Sequence, residues 1–223
     1  MIDMRLPAAV IFDMDGLLVD TEPMHGESYV RTFAHFGLKL SVEEYRQAVT
    51  IGGMSVLNLY LSHGGDESRW QEVSVQKSKC FKCIFEKNGA LMPGVLNLLD
   101  SLRQAHIPTA IATSSGRSSL KTIMDKFDIQ PFFDHLITWR DVETSKPDPD
   151  AFIEAARRMD ARCEDCIVLE DSPRGVLAAH RAGMKCIAVP TSSTADGDFS
   201  LATVVVNSLE DVTIESIRQL FTL

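Results

Sequence analysis

Asp13 and Asp15 stand two residues apart at the end of an apolar run, Ala8-Ala9-Val10-Ile11-Phe12, and Gly16-Leu17 follow them. In extended chain, residues i and i+2 project to the same side. The two carboxylates therefore share one site at the end of a strand. Like charges that close repel and raise a pKa unless a cation or protons lie between them. A divalent metal would relieve that repulsion, and it suggests chemistry on an anion.

Three further segments carry the same kind of residue. Thr113-Ser114-Ser115-Gly116 follows the apolar run Thr109–Ala112, and Glu170-Asp171-Ser172-Pro173 follows Cys166–Leu169. Between them lies Ser145-Lys146-Pro147-Asp148-Pro149-Asp150, a lysine in a loop stiffened by two prolines. In an open α/β sheet the carboxyl ends of the strands share one edge, and ligands bind there. One crevice would then hold four carboxylates, hydroxyls and one fixed ammonium. A phosphate ester needs cation and hydrogen-bond donors around its oxygens, an in-line nucleophile and an acid for the leaving oxygen. Lys146 and a carboxylate-held metal would supply the charge; Thr113, Ser114 and backbone N–H groups would supply donors. Mg²⁺, hard and oxygen-loving, is the natural metal. Each motif alone is ordinary: Glu170-Asp171, for instance, is favourable charge at a helix start. Their joint placement at strand ends points to phosphoryl transfer.

The elements that must position these residues alternate. Strands are expected at 8–12, 109–113, 135–138, 166–169, 186–189 and 204–206, with helices between most of them. Pro93-Gly94 opens a helix through Leu102, Pro149 and Pro173 open two more, and Gly183 ends the last of these as a C-cap. Such alternation implies a parallel sheet covered on both faces. Residues 21–89 read differently, as helices with no strand. Pro23 starts one, Ser41-Val42-Glu43-Glu44 is a capping box for a short second, Gly52-Gly53 breaks the pattern, and Ser55–Leu61 and Trp70–Glu86 continue it. The expected fold is α/β: a three-layer Rossmann-like core with a parallel sheet, formed by 1–20 and 90–223, plus an all-helical cap at 21–89 inserted after the first motif. Thr191–Ser200 reads as a loop.

The chain has 223 residues and a net charge of −9, with no basic cluster, so no nucleic-acid partner is expected. No apolar stretch reaches the roughly 18 residues that span a membrane, and Met1–Pro7 lacks a signal-peptide layout. Five cysteines, an odd number in a chain of this size, fit free thiols in a cytoplasmic protein. Cys80-x-x-Cys83 and Cys163-x-x-Cys166 have zinc-like spacing, but the first pair lies in a helical pattern and the second straddles the start of a strand, so coincidence is the better reading.

The motif set resembles that of the haloacid dehalogenase superfamily of phosphohydrolases. Its four motifs stand as Asp13-Met14-Asp15-Gly16, Thr113, Lys146 in Ser-Lys-Pro-Asp-Pro, and Glu170-Asp171, in order along most of the chain. The run Asp15–Pro23, the Ser-Lys-Pro segment and Glu170–Gly175 are similar to the β-phosphoglucomutase-like branch, which includes sugar-phosphate and pseudouridine-5′-phosphate phosphatases. The helical insertion is similar to the family's type 1 cap.

The resemblance implies a mechanism and a set of roles. Asp13 would attack phosphorus and form an aspartyl-phosphate. Asp15 would protonate the leaving oxygen and then deprotonate the hydrolytic water. Thr113, Ser114 and Lys146 would hold the phosphate. Mg²⁺ would bind Asp13, the backbone carbonyl of Asp15 and Asp171, with Glu170 nearby or in the outer shell. In the cap, His25 is implied to couple closure to acid–base work, facing either the cleft or solvent. Gly52-Gly53-Met54-Ser55 resembles the substrate-specificity loop. Lys77 and Lys79 are candidate cations for the distal end of a substrate. In the mutase an arginine that grips a second phosphate follows the serine of this loop; here Val56 stands there. The implied function is a Mg²⁺-dependent phosphatase acting on a small-molecule phosphate ester, a sugar phosphate or nucleoside monophosphate, as a monomer or weak dimer. The alternatives are a phosphosugar mutase and a non-enzymatic phosphate-sensing or partner-binding protein.

Overall fold

The computed structural model describes residues 5–221. In chain order the strands are β1 (Ala9–Phe12), β2 (Thr109–Ala112), β3 (His135–Ile137), β4 (Cys166–Glu170), β5 (Lys185–Ala188) and β6 (Val204–Val205). The helices are α1 (Glu22–His35), α2 (Val42–Tyr45), α3 (Val56–Ser62), α4 (Trp70–Asn88), α5 (Val95–Gln104), α6 (Arg117–Phe127), α7 (Asp150–Arg158), α8 (Pro173–Arg181) and α9 (Ile214–Gln219). The chain divides into two compact units: one runs up to Val19 and from Leu91 onward, the other is Asp20–Ala90.

In the first unit all six strands are parallel, in the order β3-β2-β1-β4-β5-β6. β1, β2 and β4 are buried along their whole length. That is why they read as continuous apolar runs without polar alternation. One face presents Ala9, Ile11, Ala110, Ala112, Val168 and Cys186 to the buried stripes of α7 and α8. Those stripes are rich in alanine (Ala151, Ala155, Ala156, Ala178, Ala179), so both helices lie close on the sheet, and Phe152 fills the remaining space. The residues alternating to the opposite face, Val10, Phe12, Ile111, Ile167 and Leu169, are equally buried, and α5, α6 and α9 each bury apolar residues in this unit.

The strand order has one consequence for chemistry. The chain moves outward from β1 through β2 to β3, then returns beside β1 with β4. The crevice at this switch point lies at the carboxyl ends of β1 and β4. The ladder runs right up to it: Asp13 N donates to Leu169 O at 3.0 Å and Thr113 N to Ile137 O at 3.0 Å. Asp13 and Thr113 thus stand on the last rungs of the sheet, with their side chains at its carboxyl edge.

The second unit is helical. Its core is Phe33, Leu40, Tyr45, Leu59, Tyr60 and Val73, with Phe33 edge-on to Tyr60 at 5.5 Å. The Ser41 capping box is present: Glu44 N donates to Ser41 Oγ, and Ser41 N donates to Glu44 Oε2. A feature the sequence does not announce follows α2. Residues Arg46–Ile51 form a π-helix that ends at Gly52. A Cβ on Gly52 would lie 2.8 Å from the carbonyl oxygens of Gln47 and Ala48, so this wide turn closes against a residue without a side chain.

Where the first unit hands over to the second, Leu17, Leu18 and Val19 are buried and pinned. Val19 forms an antiparallel bridge with Leu91, and Met92 N donates to Leu18 O at 2.9 Å. Among the described residues no helix is long and apolar enough to cross a membrane. All five cysteines are free thiols.

Candidate active site

The turn after β1 is shaped around Asp13 and Gly16. Gly16 has φ +88°, and a Cβ placed on it would lie 2.1 Å from Asp171 Oδ2. Only glycine leaves room for the Asp171 carboxylate to approach this turn. Asp13, Glu170 and Asp171 each offer an oxygen, all within 4.8 Å of one another. The three are buried, with 6%, 1% and 5% of their surface exposed.

Lys146 reaches into this cluster. Its Nζ donates to Asp13 Oδ1 at 2.5 Å and to Glu170 Oε1 at 2.7 Å, and it lies 4.6 Å from the centre of the Phe152 ring. Glu170 has its second oxygen occupied as well: Ser172 N donates to Oε2 at 2.7 Å and Ser172 Oγ at 2.9 Å. Ser172 is in turn the N-cap of α8, accepting from Gly175 N at 3.1 Å. Asp15 lies against Thr113, whose Oγ1 donates to Asp15 Oδ2 at 3.2 Å and accepts from Ser115 N at 2.9 Å. Ser114 sits exposed at the same strand end.

The electrostatics follow from burial. Desolvation pushes the Asp13 carboxyl up to about 8, against the pull of the Lys146 ammonium and with added push from Glu170 and Asp15. Burial alone would lower the Lys146 ammonium, but the Asp13 and Glu170 carboxylates outweigh it and hold its pKa above the usual lysine value. Four carboxyl groups crowd one ammonium, so a proton or a cation must offset part of their negative charge. The donor set is all oxygen, and the room that Gly16 leaves is at Asp171. Such a set suits a hard divalent cation held by one or two carboxylates. Asp13, Glu170 and Asp171 each offer an oxygen to such an ion, and both Glu170 oxygens also accept from Lys146 or Ser172.

The structure thus brings together Asp13, Asp15, Thr113, Lys146, Glu170 and Asp171. Of the residues expected in the helical unit, His25 and Lys77 meet. His25 is not turned to solvent: its ring stacks on Phe81 at 4.4 Å, and Lys77 Nζ lies 2.7 Å from His25 Nδ1. Lys77 also sits over the Tyr29 and Phe81 rings, at 5.2 and 4.7 Å. Gly53 has φ +68° and is exposed, and Ser55 is the N-cap of α3, accepting from Asn58 N at 3.2 Å. Lys79 is exposed on α4.

Several supporting residues carry no role in the sequence reading. Ser172 fixes Glu170. Gly175 makes room for it: a Cβ there would lie 1.6 Å from Glu170 Oε1. A glycine inside a helix is itself a signal of close approach. Thr194 Oγ1 donates to the Asp171 carbonyl at 2.7 Å, tying the loop after β5 to the putting-in place of that carboxylate. Nothing in a small polar loop announces this.

The profile of the haloacid dehalogenase-like hydrolases matches residues 10–189. The chain is 33% identical over 208 residues to a Drosophila melanogaster protein named "probable pseudouridine-5′-phosphatase", spanning 90% of this chain and 89% of that one. It is 31% identical over 193 residues to the phosphorylated carbohydrates phosphatase of Thermotoga maritima, spanning 85% and 88%. In structure it is similar to CbbY from Rhodobacter sphaeroides, solved in complex with phosphate, with a TM-score of 0.84 and 27% identity over 92% of this chain and 96% of that one. With its six-stranded parallel sheet and buried acidic turn, the chain belongs to the haloacid dehalogenase-like hydrolases.

Proposed function

We propose that this protein is a Mg²⁺-dependent phosphatase acting on a small phosphorylated metabolite, a sugar phosphate or a nucleoside monophosphate, through an aspartyl-phosphate on Asp13. The observation that carries the reading is the Asp13 carboxylate held 2.5 Å from the Lys146 ammonium beside Asp171 and Glu170. The names of the similar phosphatases from fly and Thermotoga support the substrate class.

In this reading Asp13 attacks phosphorus in line with the ester oxygen. The P–O ester bond breaks and the leaving oxygen takes its proton from Asp15. A water then attacks the phosphorylated Asp13, giving its proton back to Asp15, and inorganic phosphate leaves with the carboxylate restored. Thr113 orients Asp15 through its hydroxyl. Lys146, with Thr113 and Ser114, balances charge on the phosphoryl oxygens. Asp13, Asp171 and the Asp15 carbonyl would hold Mg²⁺, which supplies positive charge to the transferring group. Glu170 acts from outside that shell, because Lys146 and Ser172 occupy its oxygens.

The helical unit is the proposed source of substrate selection, through His25, Lys77, Gly53 and Ser55. Val56, apolar where a cation would grip a second phosphate, favours hydrolysis over a mutase. The test is release of inorganic phosphate from a panel of hexose and nucleoside monophosphates, with and without Mg²⁺. Turnover that needs Mg²⁺ and vanishes in Asp13→Asn is expected. Interconversion of β-glucose 1-phosphate and 6-phosphate without net phosphate release would replace the hydrolase by a mutase. No turnover across the panel would leave a phosphate-binding protein.

A further inference from the structure

Lys146 is gripped at both ends by a single turn. Glu170 takes its ammonium, and Arg174, four residues on, donates from Nη2 to the backbone carbonyl of Lys146 itself. Seven residues further along α8, Arg181 Nη1 donates to Pro147 O at 3.1 Å and Asp148 Oδ1 at 3.3 Å. One edge of α8 thus lies along the loop 146–148.

Two features make Arg174 more than a surface cation. It occupies the first turn of α8, where the helix dipole disfavours positive charge, so its presence there is offset by a specific acceptor. That acceptor belongs to the peptide before Pro147, which has no N–H to enter a ladder and lies outside any helix or strand. The loop that carries Lys146 closes on a bond of its own, Asp148 N to Ser145 O at 3.1 Å, and the Lys146 carbonyl within that turn is held from α8 by Arg174. We infer that Arg174 is a positioning residue: by fixing the Lys146 carbonyl while Glu170 fixes the Lys146 ammonium, it sets where that ammonium meets a phosphate oxygen. The inference rests on the proposed phosphatase reading for its kinetic consequence, not for its geometry.

Groups that meet a reacting phosphate must be held to within about half an ångström, and a misplacement of about 1 Å can cost about 100-fold in rate. Loss of one of two anchors should cost less. The experiment compares wild type, Arg174→Ala, Arg174→Lys and Arg181→Ala in steady-state hydrolysis, in inhibition and direct binding by inorganic phosphate, and in thermal unfolding. In Arg174→Ala, kcat/KM is expected to fall about 5- to 50-fold and phosphate affinity to weaken about 3- to 10-fold, with an unshifted unfolding midpoint. Arg174→Lys should recover most of both, and Arg181→Ala should lose less. Kinetics and phosphate affinity within two-fold of wild type in Arg174→Ala, or a loss that tracks a lowered midpoint and is not rescued by lysine, would overturn the inference. If the wild type hydrolyses no ester, the phosphatase reading fails by itself. Phosphate binding then decides alone: weakened in Arg174→Ala it supports the positioning role, unchanged it overturns it. A wild type that binds no phosphate overturns both.

Discussion

Glu170 Oε1 lies 2.7 Å from Lys146 Nζ, while Glu170 Oε2 receives both the N–H and the hydroxyl of Ser172. A carboxylate with both oxygens satisfied in this way is a brace. It ties the β4–α8 turn to the Lys146 ammonium; in the proposed reading Asp13 and Asp171 meet the cation and the phosphoryl group.

Lys146→Met removes the cation from between two buried carboxylates. Leaving such charges without their partner costs about 3–5 kcal/mol in folded proteins. Losing a charged group aimed at a developing negative charge costs about 100- to 1,000-fold in rate. Urea unfolding and phosphate release check the two effects separately. Asp13 should shift further toward its protonated form in this variant, because burial then acts without opposition.

Gly175→Ala reverses the usual sign of a helix substitution. Alanine in place of a helical glycine normally stabilises by about 1 kcal/mol. Here the new Cβ would stand 1.6 Å from Glu170 Oε1, so Glu170 must leave Lys146 or the helix must shift. A loss of about 1–3 kcal/mol is expected from urea unfolding, together with a drop in turnover. Stabilisation with unchanged kcat would contradict the brace.

The pH dependence of metal stabilisation follows from Asp13. The unfolded carboxyl titrates near about 3.9, whereas burial pushes the folded one up to about 8. Between these values the folded, cation-free protein binds a proton that the unfolded chain does not. This group's contribution to stability therefore falls as pH rises through the window. The raised ammonium of Lys146 keeps its contribution until far more alkaline pH. A bound Mg²⁺ takes the place of the proton, so the rise in unfolding midpoint on adding Mg²⁺ over EDTA should grow from pH 5 to pH 8. An increment that is flat or shrinks with pH would contradict this.

How much of this was legible beforehand divides along physical lines. The parallel sheet was, because β1, β2 and β4 are buried on both faces and carry unbroken apolar runs. Asp13 and Glu170-Asp171 are legible as candidates because each follows such a run, and Lys146 because it stands in a loop stiffened by two prolines. The bracing was not: Lys146 and Asp13 lie 133 residues apart, and no periodicity states that one carboxylate faces an ammonium and another a cation. The π-helix at Arg46–Ile51 was hidden for a related reason, since its wider turn leaves no 3.6-residue pattern. Its single trace is Gly52, which reads in sequence only as a break.

Asp13 is the proposed nucleophile. The direct measurement is acid quench of the wild-type enzyme during turnover of its best phosphate ester, followed by mass spectrometry of the peptide containing Asp13 and Asp15. A phosphoryl group on Asp13, absent in Asp13→Asn, is expected. A phosphoryl group on Asp15 or on any other residue, or turnover that persists in Asp13→Asn, would contradict it.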